Sequence, residues 1–147
     1  MRALVFILGL ACATLLPAEE TSSLPAATTV TILVHSESKI TGLTRERVVD
    51  LLTGRVTTLA NGGRVVLVLS YCTEGEAAVR DLTARDVARL MRGWKRVVFG
   101  GGGSLPLTAE SNQAAIELLR RTNEGILPLT NVDPQKIPEG LRAIVLP

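Results

Sequence analysis

The sequence predicts an α/β domain in which helices cover a sheet, and three observations support this fold class. Short runs of aliphatic and β-branched residues alternate along the chain with amphipathic segments of helical period. These runs are apolar nearly throughout, as is typical of strands that are buried on both faces. Hydrophobic residues make up 46% of the 147 residues and charged residues 20%, so one mainly aliphatic core is expected.

The N-terminal segment has the pattern of a secretory signal peptide. A short positive start precedes an apolar run that ends near Leu16, and Ala18 is a small residue at a suitable cleavage point. We therefore expect a signal peptide at residues 1–18, a linker at 19–28 and the folded domain at 29–147. The apolar run is too short for a stable membrane span. An uncleaved anchor and lipidation at Cys12 remain as alternatives.

Cleavage after Ala18 would leave Cys72 as the single cysteine of the mature chain. An internal disulfide would then be impossible, and packing alone would stabilise the domain. We interpret Cys72 as a small, mostly buried hydrophobic residue rather than a reactive thiol.

The first half of the domain predicts two strands and one helix. Residues 30–35 form a short apolar strand. Thr44 is placed to cap a helix that ends near Leu52, with Gly54 just beyond it. Residues 61–63 form a turn, and residues 64–70 form a second buried strand.

The second half predicts three helices followed by two strands. The apolar phase breaks near residue 82, and residues 83–86 resemble a capping box, so the helical region 74–91 is split there. A further helix begins at Thr108 or Ser111 and ends at Arg121. Residues 125–129 and 141–146 are strand candidates, and Pro128 predicts an edge position, or a weakened strand, for the first of them.

Catalytic motifs are mostly missing from the sequence. The chain has one histidine, His35, followed by Ser36 and Glu37, and neighbours along a chain rarely converge on one reacting atom. No nucleophile elbow, Walker loop, dinucleotide fingerprint or zinc-type spacing is present in the sequence. We expect a non-enzymatic protein without cofactor, metal or catalytic residues, and hydrolysis through His35 and Ser36 is the weakest alternative.

A basic cluster surrounds the single tryptophan, Trp94: Arg89, Arg92, Lys95 and Arg96. Such a cluster steers an anion or stacks on a base, although a solvated helix face is the commoner explanation. The net charge of +2 is too small to indicate a nucleic-acid partner.

Four consecutive glycines, residues 100–103, precede Ser104-Leu105-Pro106. The run is either a loop that cradles an anion or a connection in which backbone passes close to a neighbouring element. No lysine or helix start of the phosphate-loop type follows it, so we favour the structural connection and keep Gly101, Gly102 and Ser104 as candidate ligand contacts.

Several segments of the chain, taken in their order, resemble those of a known family. The series consists of the helix that starts at Leu43-Thr44-Arg45-Glu46, the Asn61-Gly62 turn, Trp94 with Phe99-Gly100, Leu105-Pro106, and Asn123-Glu124-Gly125-Ile126. Over about residues 30–146 it resembles the phosphate-type periplasmic substrate-binding proteins of ABC transporters, especially short single-domain members.

The resemblance implies a type 2 periplasmic-binding fold, here as a single lobe whose sheet is covered by helices. It also implies a periplasmic location, an oxyanion ligand such as phosphate, and an ABC permease as partner. The family binds its ligand with backbone N–H groups and hydroxyls at helix N-termini, which here points to Ser70 and Thr73.

Among the departures from the family pattern, two bear directly on ligand binding. Glu74 and Glu76 place negative charge where an anion is expected to bind. The chain is also about half as long as a two-lobed binding protein, and one lobe cannot close around a solute. Two functions therefore remain open: an exported solute-binding protein for phosphate or another oxyanion, and a cell-envelope interaction module that keeps the fold without the ligand.

Overall fold

The computed structural model describes residues 28–146. The expected signal peptide, the Cys12 alternative and nearly all of the expected linker lie outside these residues. No helix within residues 28–146 is long and apolar enough to cross a membrane.

The described residues form five strands, four α-helices and one short 3-10 helix. Strands and helices alternate for most of the chain, and this alternation is the signature of an α/β fold. In chain order the elements are β1 (Val30–His35), α1 (Arg45–Thr53), β2 (Val66–Ser70), α2 (Thr73–Thr83), α3 (Val87–Phe99), β3 (Leu107–Ala109), α4 (Asn112–Arg120), β4 (Gly125–Thr130), the 3-10 helix (Pro134–Lys136) and β5 (Leu141–Val145).

The five strands form one mixed sheet in the order β3-β2-β4-β1-β5. Strand β2 is parallel to both β3 and β4, whereas β1 is antiparallel to β4 and β5. The three parallel strands therefore end at the same edge of the sheet. That edge is where helices that follow parallel strands begin, and it positions the candidate site described below.

Helices cover both faces of this sheet, as the sequence predicts. Alternate residues of β1 point to opposite faces, so Ile32 packs with α1, α2 and α3 while Leu33 packs with α4. The larger cluster includes Leu52, Val79, Leu90 and Trp94, and the smaller one includes Ala115 and Leu119. Because both faces are covered, the predicted α/β class with a helix-covered sheet is confirmed.

Local signals place several helix ends correctly. The Thr44 hydroxyl accepts a hydrogen bond from Arg47 N at 3.2 Å and caps α1. Gly54 ends α1 with φ of 74°, and a Cβ there would lie 2.8 Å from Val97 Cγ2. Glycine is therefore required at this position both for the left-handed turn and for the close approach of α3.

The edge position predicted from Pro128 is wrong. Strand β4 lies in the middle of the sheet, between β2 and β1, and all its residues are buried. Pairing of β4 with β2 ends at Ile126, before Pro128, while Pro128 pairs with Ile32 on the β1 side. Proline is accommodated because the β2 ladder stops where the missing N–H would be needed.

Two other expectations need correction. Strand β3 is absent from the predicted order; it has three residues, two of them exposed, so its composition gives almost no strand signal. The helix after it begins beyond Ser111 rather than at Thr108, which lies within β3. The predicted break between α2 and α3 is present, but its cap is Asp86, whose carboxylate accepts from Arg89 N at 2.6 Å.

Candidate functional site

The carboxyl ends of β2, β3 and β4 bring two helix N-termini to one edge of the sheet. Helix α2 begins at Thr73 shortly after β2, and α4 begins at Asn112 shortly after β3. The first N–H groups of a helix lack partners within the helix and carry partial positive charge. This part of the sheet, where the carboxyl ends of the strands lie, therefore has the backbone geometry of an anion site, and we call it the α2–α4 edge.

Side chains from both helices meet at this edge in one hydrogen-bonded network. The Ser70 hydroxyl donates to Asn112 Oδ1 at 2.7 Å, and Asn112 Nδ2 donates to Glu74 Oε2 at 2.9 Å. Ser70 Oγ also accepts from Cys72 N at 3.2 Å. The Thr130 hydroxyl, at the end of β4, donates to the Glu74 carbonyl oxygen at 3.2 Å. The network links β2, α2, α4 and β4.

The anionic group in this network is the side chain of Glu74 itself. Its own backbone N–H, and then the Asn112 amide, lower the pKa of the Glu74 carboxyl below its ordinary value, against a smaller opposing effect of burial. The carboxylate is thus held ionised beside the N-terminus of α2. A free anion that binds there has to meet or displace this charge.

Close packing of α2 against β2 fixes the position of this network. A Cβ on Gly75 would lie 2.4 Å from the Ser70 carbonyl oxygen and 2.7 Å from Ser70 Cβ. No side chain fits there, so glycine lets the first turn of α2 contact the end of β2. This contact holds Glu74 within reach of Asn112.

The structure brings two of the sequence-predicted site residues, Ser70 and Thr73, to the α2–α4 edge. Ser70 is 1% exposed, and its hydroxyl already donates to one partner and accepts from another. Thr73 is exposed at the first position of α2. Their role as ligand contacts stays a prediction, and Thr73 is the exposed one of the two.

The other three predicted site residues, Gly101, Gly102 and Ser104, lie before β3. Because Ala109, at the end of β3, pairs with Ser70, the glycine run is at the other end of that strand. A Cβ on Gly102 would lie 2.9 Å from Val97 Cγ1, and one on Gly103 would lie 3.4 Å from Trp94. The glycines thus pack beside the end of α3, as the interpretation of a structural connection expects, and the structure does not bring them together with Ser70 and Thr73.

Sequence reasoning missed Asn112 and Thr130 as members of the edge. Asn112 is 38 residues from Glu74 along the chain and Thr130 is 56 residues from it. The usable signal was Ser111, which caps α4 through Ala114 N at 3.1 Å and marks a second helix start. Without β3, however, nothing in the sequence placed that helix start beside α2.

The two other side chains with reactive groups that the sequence analysis singled out, His35 and Cys72, lie at opposite ends of the sheet. His35 is at the opposite edge, where its Nδ1 accepts from Glu37 N at 3.2 Å. Cys72 is half-buried rather than buried, and its Sγ donates to the Glu110 carbonyl oxygen at 3.3 Å. Within residues 28–146, no group of three or more His, Cys, Asp or Glu residues is arranged to hold a metal ion.

Comparisons with known proteins extend the description of the fold. No protein-family model and no curated sequence matches the chain. Solved structures do match, each over 80% of this chain: an ABC-type phosphate transport receptor from Vibrio cholerae (TM-score 0.55, 16% identity), a putative phosphate ABC transporter substrate-binding protein with bound phosphate from Clostridium perfringens (0.57, 12%) and PstS from Borrelia burgdorferi (0.55, 15%).

These similarities define the fold as periplasmic-binding-protein-like. The chain covers only 45%, 44% and 46% of the three structures, so it spans less than half of their length. Identities of this size establish the shared architecture, and the activity of this chain must be argued from its own residues.

Proposed function

We propose that the chain is a non-catalytic, exported solute-binding module of the phosphate ABC transporter type, which takes an oxyanion such as phosphate at the α2–α4 edge in competition with its own Glu74. The observation that carries this proposal is the Glu74 carboxylate between the N-terminus of α2 and the Asn112 amide. A carboxylate and a phosphate use the same kinds of hydrogen-bond donor, which supports an anion as the ligand of this edge.

The charge of Glu74 limits the affinity of this site. A phosphate that enters while the carboxylate remains in place faces like-charge repulsion, and a phosphate that displaces it breaks the hydrogen bond from Asn112. The site is also open, since Thr73 and Tyr71 are exposed. An open site buries little of a small ligand, and weak binding is therefore expected for the chain alone.

Removing the charge of Glu74 tests the proposal directly. Glu74→Gln keeps an oxygen that accepts from Asn112, and calorimetric titration with phosphate should show binding at least about tenfold tighter than for the unaltered protein. Glu139→Gln is the matched control, because Glu139 is exposed and belongs to the other edge of the sheet. The control should leave phosphate binding unchanged.

Two results would contradict the proposal. If neither the unaltered protein nor Glu74→Gln releases or absorbs heat with millimolar phosphate, the edge is not an oxyanion site. If both bind phosphate equally well, Glu74 does not compete with the ligand. Addition of sulfate and molybdate to the same series distinguishes phosphate from other oxyanions.

The envelope interaction module is the second candidate function, and the same carboxylate favours it. A chain whose anion position is filled by Glu74, and which spans less than half of the matching binding proteins, keeps the scaffold for contacts with a protein such as an ABC permease. In that case Glu74→Gln binds no phosphate, and a pull-down from envelope extract recovers a specific partner.

A further inference from the structure

The outward face of α3 combines arginines with an exposed aromatic side chain. Arg89, Arg92, Arg96 and Phe99 follow one another at intervals of three and four residues, so they lie in one row along the helix. The opposite side of α3 is buried through Val87, Leu90 and Trp94, and the Trp94 indole donates to Leu52 O at 2.8 Å.

The acids at the start of this face, Asp86 and Glu76, use their carboxylates to accept from backbone N–H groups of α3. Helix α3 contains no acidic residue, and Asp86 caps its N-terminus. Arg85, which precedes the helix, and Lys95 add to the charge. Among residues 28–146, the ion pairs with N–O distances up to 4.0 Å involve none of these five basic side chains.

A shallow cleft lies within this face. It has a volume of about 250 Å³ and is lined by Arg85, Arg89, Gly93 and Arg96. A Cβ on Gly93 would contact nothing within 4 Å, so the helix surface is open at this point. Guanidinium groups are the donors that pair best with the several acceptor oxygens of a phosphate group, and three arginines line this cleft.

Phe99 provides the second observation. It is 88% exposed, the most exposed of the large hydrophobic residues described, and it occupies the last turn of α3 in the same row as the arginines. Exposure of a phenyl ring to water is unfavourable in free energy, and this free energy is regained when the ring enters an apolar phase. A row of cations ending in an aromatic ring is typical of segments that lie on a membrane surface.

From these observations we propose that the outer face of α3 docks on an anionic phospholipid surface, with a lipid phosphate in the arginine cleft and Phe99 inserted at the boundary of the acyl chains. The helix has 13 residues and is about 20 Å long, so a flat charged surface contacts all of its arginines at once. This surface is separate from the α2–α4 edge and does not depend on the oxyanion proposal.

Vesicle binding by the full chain tests this surface. The probes are vesicles of phosphatidylcholine mixed with phosphatidylglycerol, and vesicles of phosphatidylcholine alone. The triple variant Arg89→Gln/Arg92→Gln/Arg96→Gln should bind the anionic vesicles at least about tenfold more weakly than the unaltered protein. Phe99→Ser, a change at an exposed position, should weaken the same binding several-fold without lowering the unfolding temperature.

The matched control removes three positive charges elsewhere. Lys39→Gln/Arg64→Gln/Arg121→Gln changes exposed residues away from α3 and should retain the binding of the unaltered protein within about twofold. All variants keep the same apolar N-terminal segment, so its own affinity for vesicles cancels from the comparison.

Three results would overturn the proposal. One is equal loss in the α3 triple variant and the control, because net charge alone would then explain the binding. Another is equal binding of the unaltered protein to both kinds of vesicle. The third is a combined result: the arginine triple variant loses vesicle binding, Phe99→Ser binds vesicles as well as the unaltered protein, and soluble polyglutamate displaces the protein from the vesicles completely. This result would make the face a docking site for an acidic macromolecule.

Discussion

Glu74 has two roles at the N-terminus of α2. Its carboxylate accepts the hydrogen bond of the Asn112 amide, and its carbonyl oxygen accepts that of the Thr130 hydroxyl. The side chain therefore links α2 to α4, the backbone carbonyl links α2 to β4, and under the proposed function the carboxylate also competes with an anionic ligand. A residue with both roles couples the stability of the fold to the state of the site.

The pH dependence of stability should report the ionised state of Glu74. Because the folded state lowers the pKa of this carboxyl below 4.5, it contributes stability that is present above the unfolded pKa and lost as pH falls through the folded value. The free energy of unfolding of the unaltered protein relative to Glu74→Gln should thus increase between about pH 3 and about pH 6. Thermal unfolding of both proteins over this range measures the difference.

An equally large difference at every pH would contradict this prediction, since the hydrogen bonds would then not depend on the charge. Glu139→Gln, at an exposed position, corrects for the change in net charge.

At the scale of elements, α3 depends on its N-cap more than α2 does. Asp86 accepts from Arg89 N at 2.6 Å, whereas the residue that caps α2, Cys72, makes no side-chain capping bond. Helix α2 is instead held by Gly75 against β2 and by its buried Val79 in the larger core cluster. Helix α3 packs against α1 and α2, and the backbone N–H of Val87 in its first turn donates to Glu76 Oε2 of α2 at 3.2 Å.

Removal of the α3 cap should therefore be measurable. Asp86→Ala should lower the free energy of unfolding by about 1 kcal/mol, because Arg89 N loses its partner. Asp86→Asn keeps a capping oxygen and should lie within a few tenths of a kcal/mol of the unaltered protein. Urea unfolding of the three proteins provides the comparison, and equal stability of the Ala and Asn variants would show that the cap contributes nothing.

For the whole molecule, one sheet joins two hydrophobic clusters. The strands supply side chains to both clusters at alternate positions, as Ile32 and Leu33 of β1 do. Loss of packing on one face therefore disturbs strands that the other face needs. We expect the domain to unfold as one cooperative unit.

Trp94, the single tryptophan, tests this cooperativity because it is buried in the larger cluster. Leu119→Ala, in the smaller cluster, should lower the free energy of unfolding by about 2–5 kcal/mol. The midpoint seen by Trp94 fluorescence should shift together with the midpoint seen by circular dichroism. Leu105→Ala, at a residue that is 42% exposed, is the control and should change little. Separate midpoints for the two probes would show that the faces unfold independently.

The sequence by itself determined the fold class, the position of most helices and strands, and the caps at Thr44 and Gly54, and it offered Ser111 as one of two possible starts of α4. These features arise from interactions within a few residues, such as a hydroxyl that accepts a nearby N–H or an apolar period along one helix face. The same local patterns identified Ser70 and Thr73 as residues beside a helix start. They also identified the basic face of α3, but not what that face contacts.

Only the tertiary structure decided the order of the strands and the composition of the α2–α4 edge. Strand β4 is central despite Pro128, because its pairing with β2 ends before the proline and the missing N–H is not needed there. Both partner strands, β1 and β2, are more than 50 residues away along the chain, so no local pattern reveals this pairing. Asn112 meets Glu74 only because the short strand β3 pairs with β2. Such contacts join distant segments, and their free energy depends on the packing of the whole sheet rather than on any local run of residues.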